Sequence, residues 1–261
     1  MLTLQPLYGG VMIAALLMGR EGSKGYPGKN TANLLGRPVM AYPLLAAQAE
    51  SFIDRVYVTT DSPYIMEIAR EHGAAVIDRP DQLCTDAALG EDVILHGFRY
   101  LTDELHLDIE LLVVLLCNSP TIDPPALHMG ITALREDQTL DSAVTVSRYN
   151  MWSPLRARKI GDDGLLHPMV PFETFGDPSK LSCDRDSQGD VWFADMGMSI
   201  MRPRCFENMQ NGLLPQRWMG QKIYPIKQWG GLDIDYDWQV PQAEHWLRVH
   251  GFTETRTPYD R

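Results

Sequence analysis

The 261-residue chain is 44% hydrophobic and 22% charged, enough for one large α/β domain with an ample core. Its formal net charge of -11 argues against a general nucleic-acid surface, which would concentrate positive charge to displace phosphate counterions. No apolar run approaches the roughly eighteen residues needed to cross a bilayer, and the run at 11–18 lacks the flanks of a signal peptide. Cys84, Cys117, Cys183 and Cys205 are too widely spaced for a zinc site or a disulfide framework. Reduced thiols in a cytoplasm are the simplest expectation.

In chain order, residues 11–18 read as a fully buried first strand, followed by a glycine-rich turn at 19–30. A helix is expected over 38–50, with Pro43 confined to its first turn. A β-branched strand at 55–60 ends at Asp61, and a helix over 63–71 and a short strand at 74–77 follow. Helix 92–105, strand 111–116, helix 124–135 and strand 142–147 continue the alternation. Repeated strand–helix–strand units predict a mostly parallel sheet covered on both faces, within a single domain over 1–261. Ligands then sit beyond the carboxyl ends of the strands, near Asp61, Arg79 and Asn118. The segment 148–190 is rich in Pro, Gly, Asp and Ser, and reads as an inserted arm suited to dimerisation and acceptor binding. Regular structure resumes at 191–201, with a helix near 203–209, short strands at 222–226 and 232–235, and a last helix from 237 to about 250, capped by Asp237. His245 and His250, five apart, and Trp238 and Trp246 read as structural.

The 19–30 turn carries Arg20, Lys24 and Lys29 in an otherwise acidic chain. A glycine-rich turn leaving a buried strand exposes backbone amides, and cations placed within it suit a polyphosphate. It is neither a P-loop nor a dinucleotide fingerprint: five residues separate Gly22 from Gly28, and Asn30 follows Lys29. Far downstream, Asp233-Ile234-Asp235 places two carboxylates on one face of an expected strand. Such paired hard oxygen ligands suit Mg²⁺ (or Mn²⁺) that also bridges to phosphates. Together they point to nucleotidyl transfer, in which an acceptor oxygen attacks the α-phosphorus of a nucleoside triphosphate and pyrophosphate leaves.

Gly19-Arg20-x-Gly22-Ser23-Lys24-Gly25-x-Pro27-x-Lys29-Asn30 resembles the A-R-x-x-S-K-G-x-P-x-K-N loop of acylneuraminate cytidylyltransferases (CMP-sialic acid synthetases). The resemblance continues through Thr60-Asp61, Arg79-Pro80, Thr85-Asp86, Leu115 to Asn118, Leu232 to Asp235 and Ala243-Glu244, covering most of the chain in order. It implies a three-layer αβα Rossmann-like nucleotidyltransferase fold, usually dimeric, with CTP and a nine-carbon sugar acid as substrates and CMP-sugar and pyrophosphate as products. In this reading Arg20, Ser23, Lys24 and Lys29 hold the phosphates, Asn30, Arg79 and Asn118 bind the rest of the nucleotide, and Arg156 meets the acceptor carboxylate. Asp233 and Asp235 hold the metal, and Arg20, Lys29 and Asp235 act in catalysis.

The chain departs from that pattern at three places. Gly19 replaces alanine, Leu116-Cys117-Asn118-Ser119-Pro120-Thr121 replaces L-Q-P-T-S-P, and Phe193-Ala194-Asp195-Met196-Gly197 replaces F-R-P-N-G. The last change removes an arginine that contacts the acidic sugar and adds an acid, which points to a diamino nonulosonic acid of the legionaminic or pseudaminic type. Two other readings use the same residues. One is a metal-dependent glycosyltransferase using Asp233-x-Asp235, although such enzymes need no cationic loop after the first strand. The other is a non-catalytic nucleotide-binding protein.

Overall fold

A computed structural model describes residues 10–186 and 189–259. The elements are β1 (Met12–Met18), β2 (Asn33–Leu34), β3 (Arg37–Pro38), α1 (Ala41–Ala49), β4 (Arg55–Thr60), α2 (Pro63–Glu71), β5 (Ala75–Asp78) and α3 (Gly90–Arg99). There follow β6 (Ile109–Leu116), α4 (Ala126–Glu136), β7 (Ser142–Arg148), β8 (Arg158–Ile160), β9 (Leu166–Pro168), β10 (Trp192–Met201), α5 (Arg204–Glu207), β11 (Ile223–Gln228) and α6 (Val240–Val249).

Seven strands form one sheet in the order β11-β7-β10-β6-β1-β4-β5. β1 pairs in parallel with β4 and β6, as do β4 with β5 and β11 with β7, whereas β10 runs antiparallel to both its neighbours. The centre explains the uninterrupted apolar runs. Ile13, Ala15 and Leu17 face a core shared with α1, α2 and α4, while Ala14 and Leu16 face α3 and α5. A parallel strand covered on both faces has no polar side. Burial of Leu16 and Leu17, both fully enclosed, is worth about 2 kcal/mol each. α6 packs on the β2–β3 hairpin and the start of α1 through Trp246, Leu247, Leu34 and Tyr42.

The parallel register brings Met18, Thr59 and Leu116 side by side, so the loops after β1, β4 and β6 open at one edge. That edge carries the candidate site.

Three local expectations are corrected. The helix expected from 38 begins at Ala41, because Leu35 and Gly36 take positive φ and fold 33–38 into a hairpin in which Pro38 pairs with Asn33. Residues 232–235 form no strand, since Thr121 Oγ1 and both the side chain and the carbonyl of Asn118, in the loop after β6, take hydrogen bonds that a neighbouring strand would make. Asp237 does not cap the last helix: it opens a 3₁₀ turn at Asp237–Gln239, and α6 starts at Val240. Between β7 and β10 the chain forms 3₁₀ turns and the β8–β9 hairpin, and residues 187 and 188 of the expected arm lie outside the described residues.

Candidate active site

The 19–30 loop is held by its own side chains and by the strand ends beneath it. Gly22 and Gly28 both have φ of +75°, conformations that favour glycine. The buried Asn30 donates from Nδ2 to the Arg20 carbonyl at 3.0 Å, and its own carbonyl accepts from Met40 N at 2.9 Å. Glu21 N donates to Asp61 Oδ1 at 3.0 Å. Arg79, also buried, donates from Nη2 to the carbonyls of Gly19 at 2.8 Å and Thr59 at 2.6 Å. Its guanidinium thus supports the loop's first residue. Burial lowers its pKa from the ordinary arginine value.

A cleft of about 230 Å³ opens beside this loop. Of the residues expected in the site, it brings together Arg20, Ser23, Lys29, Asn30, Arg79 and Asn118, and adds Leu83, Thr85, Asp86 and Val93. Lys24 lies next to the cleft, with Nζ 2.6 Å from Asp86 Oδ2, while Arg20 Nη2 is 2.7 Å from Asp86 Oδ1. Those hydrogen bonds, Lys24 first, hold the Asp86 carboxyl below its ordinary value. Arg156 is not among the lining residues. It lies between β7 and β8 and donates to the Cys183 carbonyl at 2.5 Å.

The 232–235 segment, with Asp233 and Asp235, does not line this cleft but meets the loop at Lys29 and Gly25. Thr121 Oγ1 donates to Leu232 O at 3.0 Å and accepts from Leu232 N at 2.8 Å. Asn118 Nδ2 donates to Ile234 O at 3.0 Å, and Ile234 N donates to Asn118 O at 2.8 Å. Gln239 Oε1 accepts from the amides of Asp235 and Tyr236 at 2.7 and 2.8 Å. Lys29 Nζ, with its side chain only 16% exposed, lies 2.5 Å from Asp235 Oδ1 and joins the cationic loop to the aspartate pair. Gly25 closes the junction: a Cβ there would lie 2.5 Å from Asp235 O.

Burial, and then the charge of Asp235, raises Asp233 above its ordinary carboxylate value. Two carboxylates that repel one another beside a cationic loop form a donor set that fits Mg²⁺, which takes one or two carboxylates and completes its shell with water and phosphate. Among the described residues no group of three or more acidic, His or Cys side chains is gathered as a self-sufficient metal cage.

Sequence reasoning passed over Asp86, Thr121 and Gln239. Asp86 stands within the Thr85-Asp86 step of the resemblance, which was its one signal. Thr121 and Gln239 act through backbone clamps that leave no pattern in the chain.

A cytidylyltransferase family model matches residues 14–151, more than half of the chain. The chain belongs to the cytidylyltransferase family. It is 31% identical over 237 residues to the CMP-N,N'-diacetyllegionaminic acid synthase of Legionella pneumophila subsp. pneumophila, covering 88% of this chain and 94% of that protein. It is 36% identical over 141 residues to the N-acylneuraminate cytidylyltransferase of Escherichia coli O18:K1:H7, covering 53% of this chain and 32% of that one. The chain spans about half or less of the length of the first curated relatives it matches. In fold it is similar to a CMP:2-keto-3-deoxy-manno-octonic acid synthetase solved with CTP, at a TM-score of 0.65 and 14% identity over 91% of this chain and 99% of that one. The residues matched by the cytidylyltransferase model include the 19–30 loop and strands β2 to β7. No helix among the described residues is long and apolar enough to cross a membrane.

Proposed function

We propose that this chain activates a sialic-acid-like nonulosonic acid with CTP, giving the CMP-sugar and pyrophosphate. The observation that supports the reading is the Lys29–Asp235 contact, which joins the cationic loop lining the cleft to the aspartate pair. Arg20, Ser23, Lys24 and Lys29 hold the triphosphate, and Arg79 and Asn118 shape the floor beneath the nucleoside. The acceptor hydroxyl oxygen bonds to the α-phosphorus, the bond from that phosphorus to the pyrophosphate oxygen breaks, and the hydroxyl proton leaves to solvent. Arg20 and Lys29 meet the charge that develops on the phosphate oxygens. Asp233 and Asp235 would hold Mg²⁺ or Mn²⁺, whose charge, when bound, further neutralises the phosphates.

The likeness to a legionaminic acid synthase over nearly that protein's full length favours a diamino acid as acceptor. Arg156 is the candidate for its carboxylate. Four free cysteines suit a cytoplasmic setting, where CTP is present. Exposed apolar residues between β7 and β10, among them Trp152, Ile160 and Leu166, support a homodimer. The test is pyrophosphate release with each nucleoside triphosphate, Mg²⁺ and a panel of nonulosonic acids. CTP with a diamino acid is expected to give the highest rate; no release with CTP and any of the acids rejects the reading.

A further inference from the structure

The hydrogen bonds that fix the approach to Asp233 converge on one buried carboxylate outside the cleft. Asp195, on β10, is 6% exposed. Its Oδ2 accepts from Ser147 Oγ at 2.6 Å and Gln228 Nε2 at 2.9 Å, and its Oδ1 accepts from Gly197 N at 3.1 Å. All three donors are neutral. β10 loses regular register with β7 between Ala194 and Ser199, and the irregularity contains Asp195.

Each of these contacts brings a donor to a carboxylate oxygen, so Asp195 orients the groups around it. Ser147 must donate to Asp195, which leaves its oxygen to accept from Gly231 N at 3.0 Å. Gln228 must present its NH₂, which also reaches Thr121 O at 3.1 Å, and so turns Oε1 toward Asp123 N at 3.2 Å. Thr121 is the residue that clamps Leu232. Tyr149 OH donates to the Gly231 carbonyl at 2.8 Å, and burial, then the Asp195 charge, raises its pKa and keeps it a donor. Gly231 itself has no room for a Cβ, which would collide with Asp195 Oδ2 and Gln228 Nε2. Both peptide groups flanking Gly231 are therefore gripped, two residues ahead of Asp233.

We propose that Asp195 is a positioning residue for the Asp233–Asp235 segment, acting through Ser147, Gln228 and Gly231, and does not contact the acceptor. The acid gained in the 193–197 segment is sealed inside the protein, so its presence there does not set sugar specificity. The claim about metal holding rests on the function proposed above; the claim about loop position does not.

Two variants test it, Asp195→Asn and Ser147→Ala, with hydrogen exchange measured on the full chain without metal or nucleotide. Both are expected to speed exchange at Gly231, Leu232 and Ile234 at least tenfold while exchange in β1 and β6 stays unchanged. Mn²⁺ titration in the presence of CTP, followed by electron paramagnetic resonance, is expected to show about tenfold weaker binding. kcat should fall while the KM for the sugar acid holds. Unchanged exchange at 231–234, or a changed KM for the acid with exchange unchanged, overturns the proposal. Should Asp195→Asn fail to fold, Ser147→Ala carries the same readouts. Asp235→Asn separates the two claims: if it leaves Mn²⁺ binding intact the metal reading is wrong, and the exchange result still decides the role of Asp195.

Discussion

A Cβ on Gly19 would lie 2.8 Å from Cys117 Sγ, 2.9 Å from Cys117 Cβ and 3.2 Å from Ile65 Cδ1. The thiol is fully buried, and burial pushes its pKa up to about 12, so it serves as packing and not as a nucleophile. Gly19 and the buried Cys117 thus pack directly against one another, with no room for a side chain at 19. Gly19→Ala should destabilise by about 1–3 kcal/mol in denaturant unfolding, and by distinctly less in a Cys117→Ala background; equal costs in both backgrounds would show that the residues are independent. Gly25 makes a similar case within the site. Gly25→Ala must push the loop off the Asp235 carbonyl, and a shift near 1 Å at a reacting centre costs on the order of 100-fold in kcat/KM. Steady-state pyrophosphate assays beside a melting curve separate that loss from unfolding.

At the scale of elements, the cationic loop and the segment after β5 are cross-linked by Asp86. Its carboxylate pairs with both Arg20 and Lys24, so a triphosphate must compete for the same cations. Asp86→Asn should therefore tighten CTP binding several-fold at low salt in titration calorimetry, with the gain shrinking as salt screens these exposed charges. Weaker binding would show that Asp86 orients the cations for the nucleotide. The Asp233–Asp235 segment gives the pH dependence. A carboxyl whose folded pKa is raised binds its proton more tightly folded than unfolded, so its contribution favours the fold at low pH and is lost as pH rises through the folded value. Above that value the ionised pair repels and a divalent cation relieves it. Mg²⁺ with CTP should raise the melting temperature more at about pH 8 than at about pH 5. In Asp235→Asn the residual pH dependence should move toward lower pH, because one cause of the Asp233 shift is gone.

Across the whole molecule, legibility followed burial. β1 and β6 were readable because a parallel strand covered on both faces must be apolar throughout, and the 19–30 loop because its cations interrupt an acidic chain. Residues 232–235 were misread as a strand, since their backbone hydrogen bonds go to Asn118 and Thr121, more than a hundred positions away. Arg20 and Asp86, 66 residues apart, meet through a loop contact that has no period to detect. The β7–β10 connection was legible only as a break in pattern, and its structure raises a question of assembly. β8 and β9 form an isolated two-stranded ribbon with Ile160 directly opposite Leu166, and these are 75% and 70% exposed. A lone hairpin is marginal in water and needs cover for its apolar face. A second copy of the chain supplies that cover in the proposed homodimer. Sedimentation velocity at micromolar concentration should find two copies per particle, and Ile160→Asp with Leu166→Asp should yield single copies with the sheet's circular dichroism retained. A wild-type chain that sediments as one copy rejects the dimer, and a double variant that still pairs moves the interface away from this hairpin.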